Sequence, residues 1–286
     1  MNRARCRSAA ACLGAVALLA GCSRAPEPVA CSPAKYGYVP TNSHREEVAA
    51  AVAAADSVLP VTIRLVIDQP PGSMATAPTG GSEVIPVWTV AERNLGPLDV
   101  AFVPEGCRAV VLQTPALFAR IAAWNGDPKT ALDVEPTYAA AWLLLHEAGH
   151  LAEGKAGKFE GAPVVRGVNF DDTPDKRREV AADYYAATLV KDGVGSSDLS
   201  QMLASNRIAM ALTNLSWNLE RDRLLGDFGA TALGLPRAFG DPAYTHPNLE
   251  FRILVANGWI NPNEASQKLV EEFLRGRTSA ADKAQP

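Results

Sequence analysis

Hydrophobic and polar positions change their period partway along this chain. From Val61 to Ile67 the order Val-Thr-Ile-Arg-Leu-Val-Ile alternates in the manner of a β-strand. Pro70 to Ser82 is a Pro/Gly/Ser loop, and Val84 to Val90 is a second strand candidate. Val100 to Val103 and Cys107 to Gln113 are two more, separated by the turn residues Pro104-Glu105-Gly106. The pattern therefore predicts a small, mostly antiparallel sheet with a hairpin at that turn. Ahead of it, His44 to Val58 is Ala-rich and helical in character. Beyond Thr114 the spacing becomes helical, with segments at Pro115–Trp124, Thr137–Glu153 ending at Gly154, and Asp172-capped residues reaching Lys191. Leu199–Leu225, Asn248–Asn257 and Asn263–Leu274 complete the set, and the chain contains no internal repeat. The expected fold is α+β, an N-terminal sheet packed on a mainly helical body.

Composition bounds this picture. With 286 residues, 48% of them hydrophobic, the chain can build one sizeable core. A single domain is expected over 45–276, its sheet part about 60–114 and its helical part about 115–276, followed by a disordered polar tail at 277–286. The start reads differently. Arg3, Arg5 and Arg7 precede an apolar run from Ala9 to Ala20, closed by Leu19-Ala20-Gly21-Cys22. That ending resembles the lipobox of bacterial lipoproteins, which implies a signal peptide over 1–21 and a lipid on Cys22. Residues 22–44 then form a tether, and the location expected is the cell envelope, lipid-anchored and facing the periplasm. Ser23, in place of Asp after the lipid-bearing Cys, is compatible with the outer membrane. Later in the chain no segment approaches the ~20 apolar residues of a membrane span.

Cysteine arithmetic follows from the same reading. Cys6 and Cys12 leave with the signal, Cys22 takes the lipid, and Cys31 and Cys107 remain as an even pair that an oxidising compartment would allow to form a disulfide. Removing residues 1–21 takes away three Arg and no acid, moving the net charge from −4 to −7. So acidic a chain, without a basic cluster, is a poor nucleic-acid binder.

The chemistry concentrates at His146-Glu147-Ala148-Gly149-His150, at the end of the apolar run from Tyr138 to Leu145. Histidines four apart on a helix share a face and can converge on one Zn²⁺, with Glu147 placed to take a proton from an attacking water. Two of only four His in the chain fall at this spacing. A third ligand is sought in Arg177-Arg178-Glu179-Val180-Ala181-Ala182-Asp183, where Glu179 and Asp183 share a helix face among apolar neighbours. One of the two can bind metal while the other holds a ligand imidazole. His44 stands outside all of these segments and reads as a surface residue.

Four blocks occur in an order that resembles the HtpX-type and CAAX-prenyl-protease-like metalloendopeptidases. They are Ala101-Phe102-Val103-Pro104-Glu105-Gly106 with Val110, Val111 and Thr114, then His146 to His150, then Arg178-Glu179-Val180-Ala181-Ala182-Asp183, and finally Thr245-His246-Pro247 with Arg252-Ile253. The resemblance covers roughly 98–255, and Glu105 stands where that family has a hairpin glycine. It implies a zincin-like body in which His146, His150 and Glu179 bind one Zn²⁺ per chain. Glu147 would be the general base, Asp183 would position a ligand, His246 would donate to the developing oxyanion, and Arg252 would brace adjacent structure. The strand Cys107–Gln113 is the expected edge for an extended polypeptide substrate. A zinc endopeptidase acting on unfolded or misassembled envelope proteins is the leading expectation. The alternatives are an envelope assembly factor or chaperone with a latent zinc site, and a zinc hydrolase of a non-protein amide.

Overall fold

Helix-forming and strand-forming stretches sort into layers in the computed structural model, which describes residues 31–67, 83–91, 100–125, 131–156, 174–232, 249–262 and 264. The chain divides into two units, Met1–Ala30 and Cys31–Pro286, and all of the described residues lie in the second. It opens with a short 3₁₀ turn at Pro33–Tyr36 and continues with α1 (Arg45–Val58), β1 (Ile63–Ile67), β2 (Glu83–Val90), β3 (Ala101–Phe102) and β4 (Val110–Gln113). Five helices follow, α2 (Thr114–Trp124), α3 (Pro136–Ala156), α4 (Pro174–Val194), α5 (Leu199–Ala232) and α6 (Leu249–Ile260). The α+β class is as the sequence pattern indicates. The helix expected at 263–274 and the tail at 277–286 fall outside the described residues, apart from 264.

The sheet runs β1-β2-β4-β3. Among the described strands only the β3–β4 pair is antiparallel, across the Pro104-Glu105-Gly106 turn with Gly106 at φ 70°, a conformation glycine adopts without strain. β1–β2 and β2–β4 are parallel, which corrects the mostly antiparallel expectation. Local alternation sets which face a residue takes, but strand direction is set by how the connections at 68–82 and 91–109 return the chain. β4 is paired on both sides, from Val87↔Val110 through Val90↔Gln113 and at Ala101↔Leu112. It is therefore interior, not the free edge expected of it; the edges among the described strands are β1 and β3.

One face of the sheet, with Leu65, Ile85, Val87, Val110 and Leu112, joins the main core against the helices. Each of the helices leading to the site brings its own apolar stripe. In α1, Val48, Ala51, Val52, Ala55 and Val58 repeat at helical spacing and are buried, while Glu46 and Glu47 lie in the first turn, where the helix dipole favours acids. α3 is buried nearly all round, packing on α1, α4 and α5 and touching β3 and β4. The opposite sheet face carries Trp88, Val90, Ala109 and Val111, covered by Tyr36, Tyr38 and Phe102. Residues from Cys31 onward are thus packed structure and not tether. Pro40 bridges Val90, the Tyr36 hydroxyl donates to Glu105 O at 3.1 Å, and Cys31 is disulfide-bonded to Cys107. No helix among the described residues is long and apolar enough to cross a membrane.

Candidate metal centre

α3 and α4 meet at a glycine. A Cβ on Gly149 would lie 2.9 Å from Ala182 Cα and 3.1 Å from its carbonyl oxygen, closer than side-chain carbons pack against backbone. Gly149 is in the middle of His146–His150, and Ala182 lies between Glu179 and Asp183. The contact that draws the helices together therefore draws the two motifs together.

The result is a convergence of donors. His146 Nε2 lies 3.3 Å from one oxygen of Glu179, His150 Nε2 lies 3.3 Å from the other, and the two Nε2 atoms are 3.0 Å apart. Imidazole lone pairs facing each other at that distance repel unless a proton or a cation stands between them. The donor set, two imidazoles and one carboxylate, suits a divalent transition metal, and tetrahedral zinc bonds of about 2.1 Å would put ligand atoms roughly 3.3–3.4 Å apart. The three side chains fit such an ion.

Asp183 takes the position a supporting carboxylate needs. Its Oδ1 is 2.8 Å from His146 Nδ1, which directs the Nδ1 proton to Asp183 and leaves Nε2 free to ligate. Arg252, from α6, then holds both carboxylates. Its Nε and Nη2 donate to the two oxygens of Asp183 at 2.7 and 3.0 Å, and its Nη1 donates to Glu179 Oε2 at 3.1 Å. The guanidinium also lies against the His146 ring, with Nη2 3.1–3.2 Å from both nitrogens. The sequence offered Arg252 as a brace for neighbouring structure; here it is in direct contact with three members of the cluster. Spacing could not have placed that contact, which joins residues 69 positions apart; only the family resemblance set Arg252 beside the site.

Burial and charge set the titration. Burial alone would lower the His146 pKa, but Asp183 and hydrogen bonding outweigh it and hold it at about 9. Burial pushes the Glu147 carboxyl up against the pull of the neighbouring imidazoles. It acts the same way on Glu179 and Asp183, yet His146, His150 and Arg252 for the first, and Arg252 and His146 for the second, hold both below the ordinary carboxylate range. Counted with neutral imidazoles, Glu147, Glu179 and Asp183 against Arg252 leave a net charge of −2, which one divalent cation balances.

Of the remaining sequence candidates, His246 and Cys22 lie outside the described residues. His44 is not one of the clustered donors; it stands at the N-cap of α1 with φ 57° and is stacked on Phe118 at 4.4 Å. Gly149 and Ala182 were missed as determinants, although two small residues inside paired motifs were the available signal. A comparison with known families matches residues 136–273, which run from the start of α3 past α6, to Peptidase U49, a peptidase family. No curated protein and no solved structure matches the chain.

Proposed function

We propose that the chain is a zinc-dependent endopeptidase of the bacterial cell envelope, hydrolysing peptide bonds in unfolded or misassembled polypeptides. The observation that carries this reading is the cluster itself, in which the Nε2 atoms of His146 and His150 are 3.0 Å apart and each lies 3.3 Å from a different oxygen of Glu179, with a buried carboxylate, Glu147, on the same helix as the two histidines. The peptidase-family match over the helices that build the cluster supports it, as does the resemblance of four sequence blocks to those of HtpX-type endopeptidases. The L-A-G-C ending and the Cys31–Cys107 disulfide support an exported, lipid-anchored protein, since disulfides persist in oxidising compartments.

When bound, the ion polarises the scissile carbonyl and acidifies the attacking water. Glu147 accepts the proton of that water on its carboxylate and passes it to the leaving amine. Asp183 holds His146 in the ligating tautomer, and Arg252 fixes the orientations of Asp183 and Glu179. In this reading His246 donates to the developing oxyanion, on the resemblance alone. An extended substrate adds to β3, the edge strand beside α3, by main-chain pairing.

The deciding experiment incubates the full chain with casein, with and without a chelator, and restores the chelated protein with zinc. Cleavage that is lost on chelation and regained with zinc is expected. Metal-bound protein that binds unfolded casein without cutting it would point to the assembly-factor alternative.

A further inference from the structure

The two histidines of the cluster are not held alike. His146 is oriented through its own ring, with Asp183 Oδ1 2.8 Å from Nδ1 and the Arg252 guanidinium beside it. His150 joins the cluster through Nε2, to Glu179 and to His146 Nε2, and none of the described residues bonds its Nδ1. Its side chain is also the more open of the two, 19% exposed against 4%. A ligand imidazole without a partner on its second nitrogen lacks the usual support for its orientation. It must take its position from the backbone that carries it, which for His150 is the turn of α3 at Gly149–Leu151.

That turn is tied to the sheet. Arg108, just ahead of β4, donates from Nη2 to Leu151 O at 3.2 Å and from Nε to the carboxylate of Glu83, the first residue of β2. One planar guanidinium thus joins β2 to α3 at the residue after His150, and its rigid fork fixes direction as well as distance. Its root is fixed too, because the preceding residue, Cys107, is buried and bonded to Cys31. The apolar contacts of α3 with β3, β4 and α4 limit how closely it approaches them, but such contacts have no direction and do little to stop a helix turning about its axis. We propose that Arg108 is a positioning residue for the second metal ligand, with Glu83 as its anchor, a role that rests on the cluster being a metal centre. It sets the rotation and height of the α3 turn that carries His150. A misplacement of about 1 Å can cost on the order of 10²-fold in rate.

Zinc titration of the full chain tests this apart from catalysis. Arg108→Met removes both hydrogen bonds and keeps an unbranched stem, and zinc affinity should fall by roughly 10-fold, the low end for groups that support a ligand. The sign is diagnostic, since removing a cation near a cation site tightens binding by Coulomb's law, whereas lost alignment weakens it. Glu83→Gln leaves Arg108 a neutral anchor, should weaken zinc by a few-fold, and decides the matter if Arg108→Met does not fold. Absorption of the cobalt(II) form should shift in Arg108→Met, which a loss of stability alone does not produce. At saturating zinc, casein cleavage by Arg108→Met should show a lower kcat with KM little changed. Arg64→Met is the control. It breaks a comparably exposed pair between β1 and α1, Arg64 Nε to Asp56 Oδ2 at 2.8 Å, and should leave zinc affinity and the cobalt spectrum unchanged. Zinc bound by the unaltered chain and equally well by Arg108→Met and Glu83→Gln would overturn the positioning role alone, as would an equal weakening in Arg64→Met. An unaltered chain that binds no zinc would remove the metal centre and this role with it.

Discussion

His146 and Glu147 are neighbours in the chain with different duties, and their substitutions should separate them. Glu147→Gln keeps all three ligands, so it should retain about one metal per chain while losing at least ~10²-fold in casein cleavage. Metal analysis beside the activity assay checks both. His146 governs a different quantity, the pH dependence of the metal-free protein. Its pKa is raised from 6.5 to about 9 on folding. Its proton therefore stabilises the fold fully below pH 6.5, and that contribution is lost as pH rises through 9. At 1.36 kcal/mol per pKa unit it amounts to on the order of 3 kcal/mol at most. Melting of the chelated protein should fall by several degrees across that window, and His146→Gln should flatten the slope. A slope unchanged in the variant would remove His146 as its source. At this scale the sequence was informative wherever partners lie three or four residues apart on one helix. Arg252, arriving from another helix, could not be placed by spacing.

Between elements, the separation of α3 and α4 fixes the site. Gly149→Ala puts a methyl against Ala182 backbone, which cannot yield as the end of a flexible side chain would. A stability loss of about 1–3 kcal/mol is expected from the overpacking, together with weaker metal binding as Glu179 is pushed from the histidines. Thermal melts and a zinc titration would show both, and Ala182→Gly should not rescue the variant, since the clash is with Cα. Element identity was legible here because helical and strand periods differ. Strand direction was not, since parallel and antiparallel strands alternate alike. α5 was readable as a helix, but which of its apolar residues are covered was not, because only packing reveals that.

At the scale of the molecule, the segment from Cys31 to Pro40 closes the outer face of the sheet. The sequence reading included it in a tether over 22–44, and the contrary signal was Tyr36 and Tyr38, large rings that a free linker has little use for. The Cys31–Cys107 bond spans 76 residues, and the chain-entropy account assigns about 4.5 kcal/mol to a loop of that size. Replacing both with Ser should cost about 2–4 kcal/mol, read as a lowered denaturant midpoint. The bond also makes α1 and the first three strands part of a covalent ring. A peptidase that nicks itself or its neighbours between residues 32 and 106 would open that ring without shedding a fragment. Such a clipped chain should run as two pieces on a reducing gel and as one without reductant, so damage at either long connection within the ring need not end the life of the molecule.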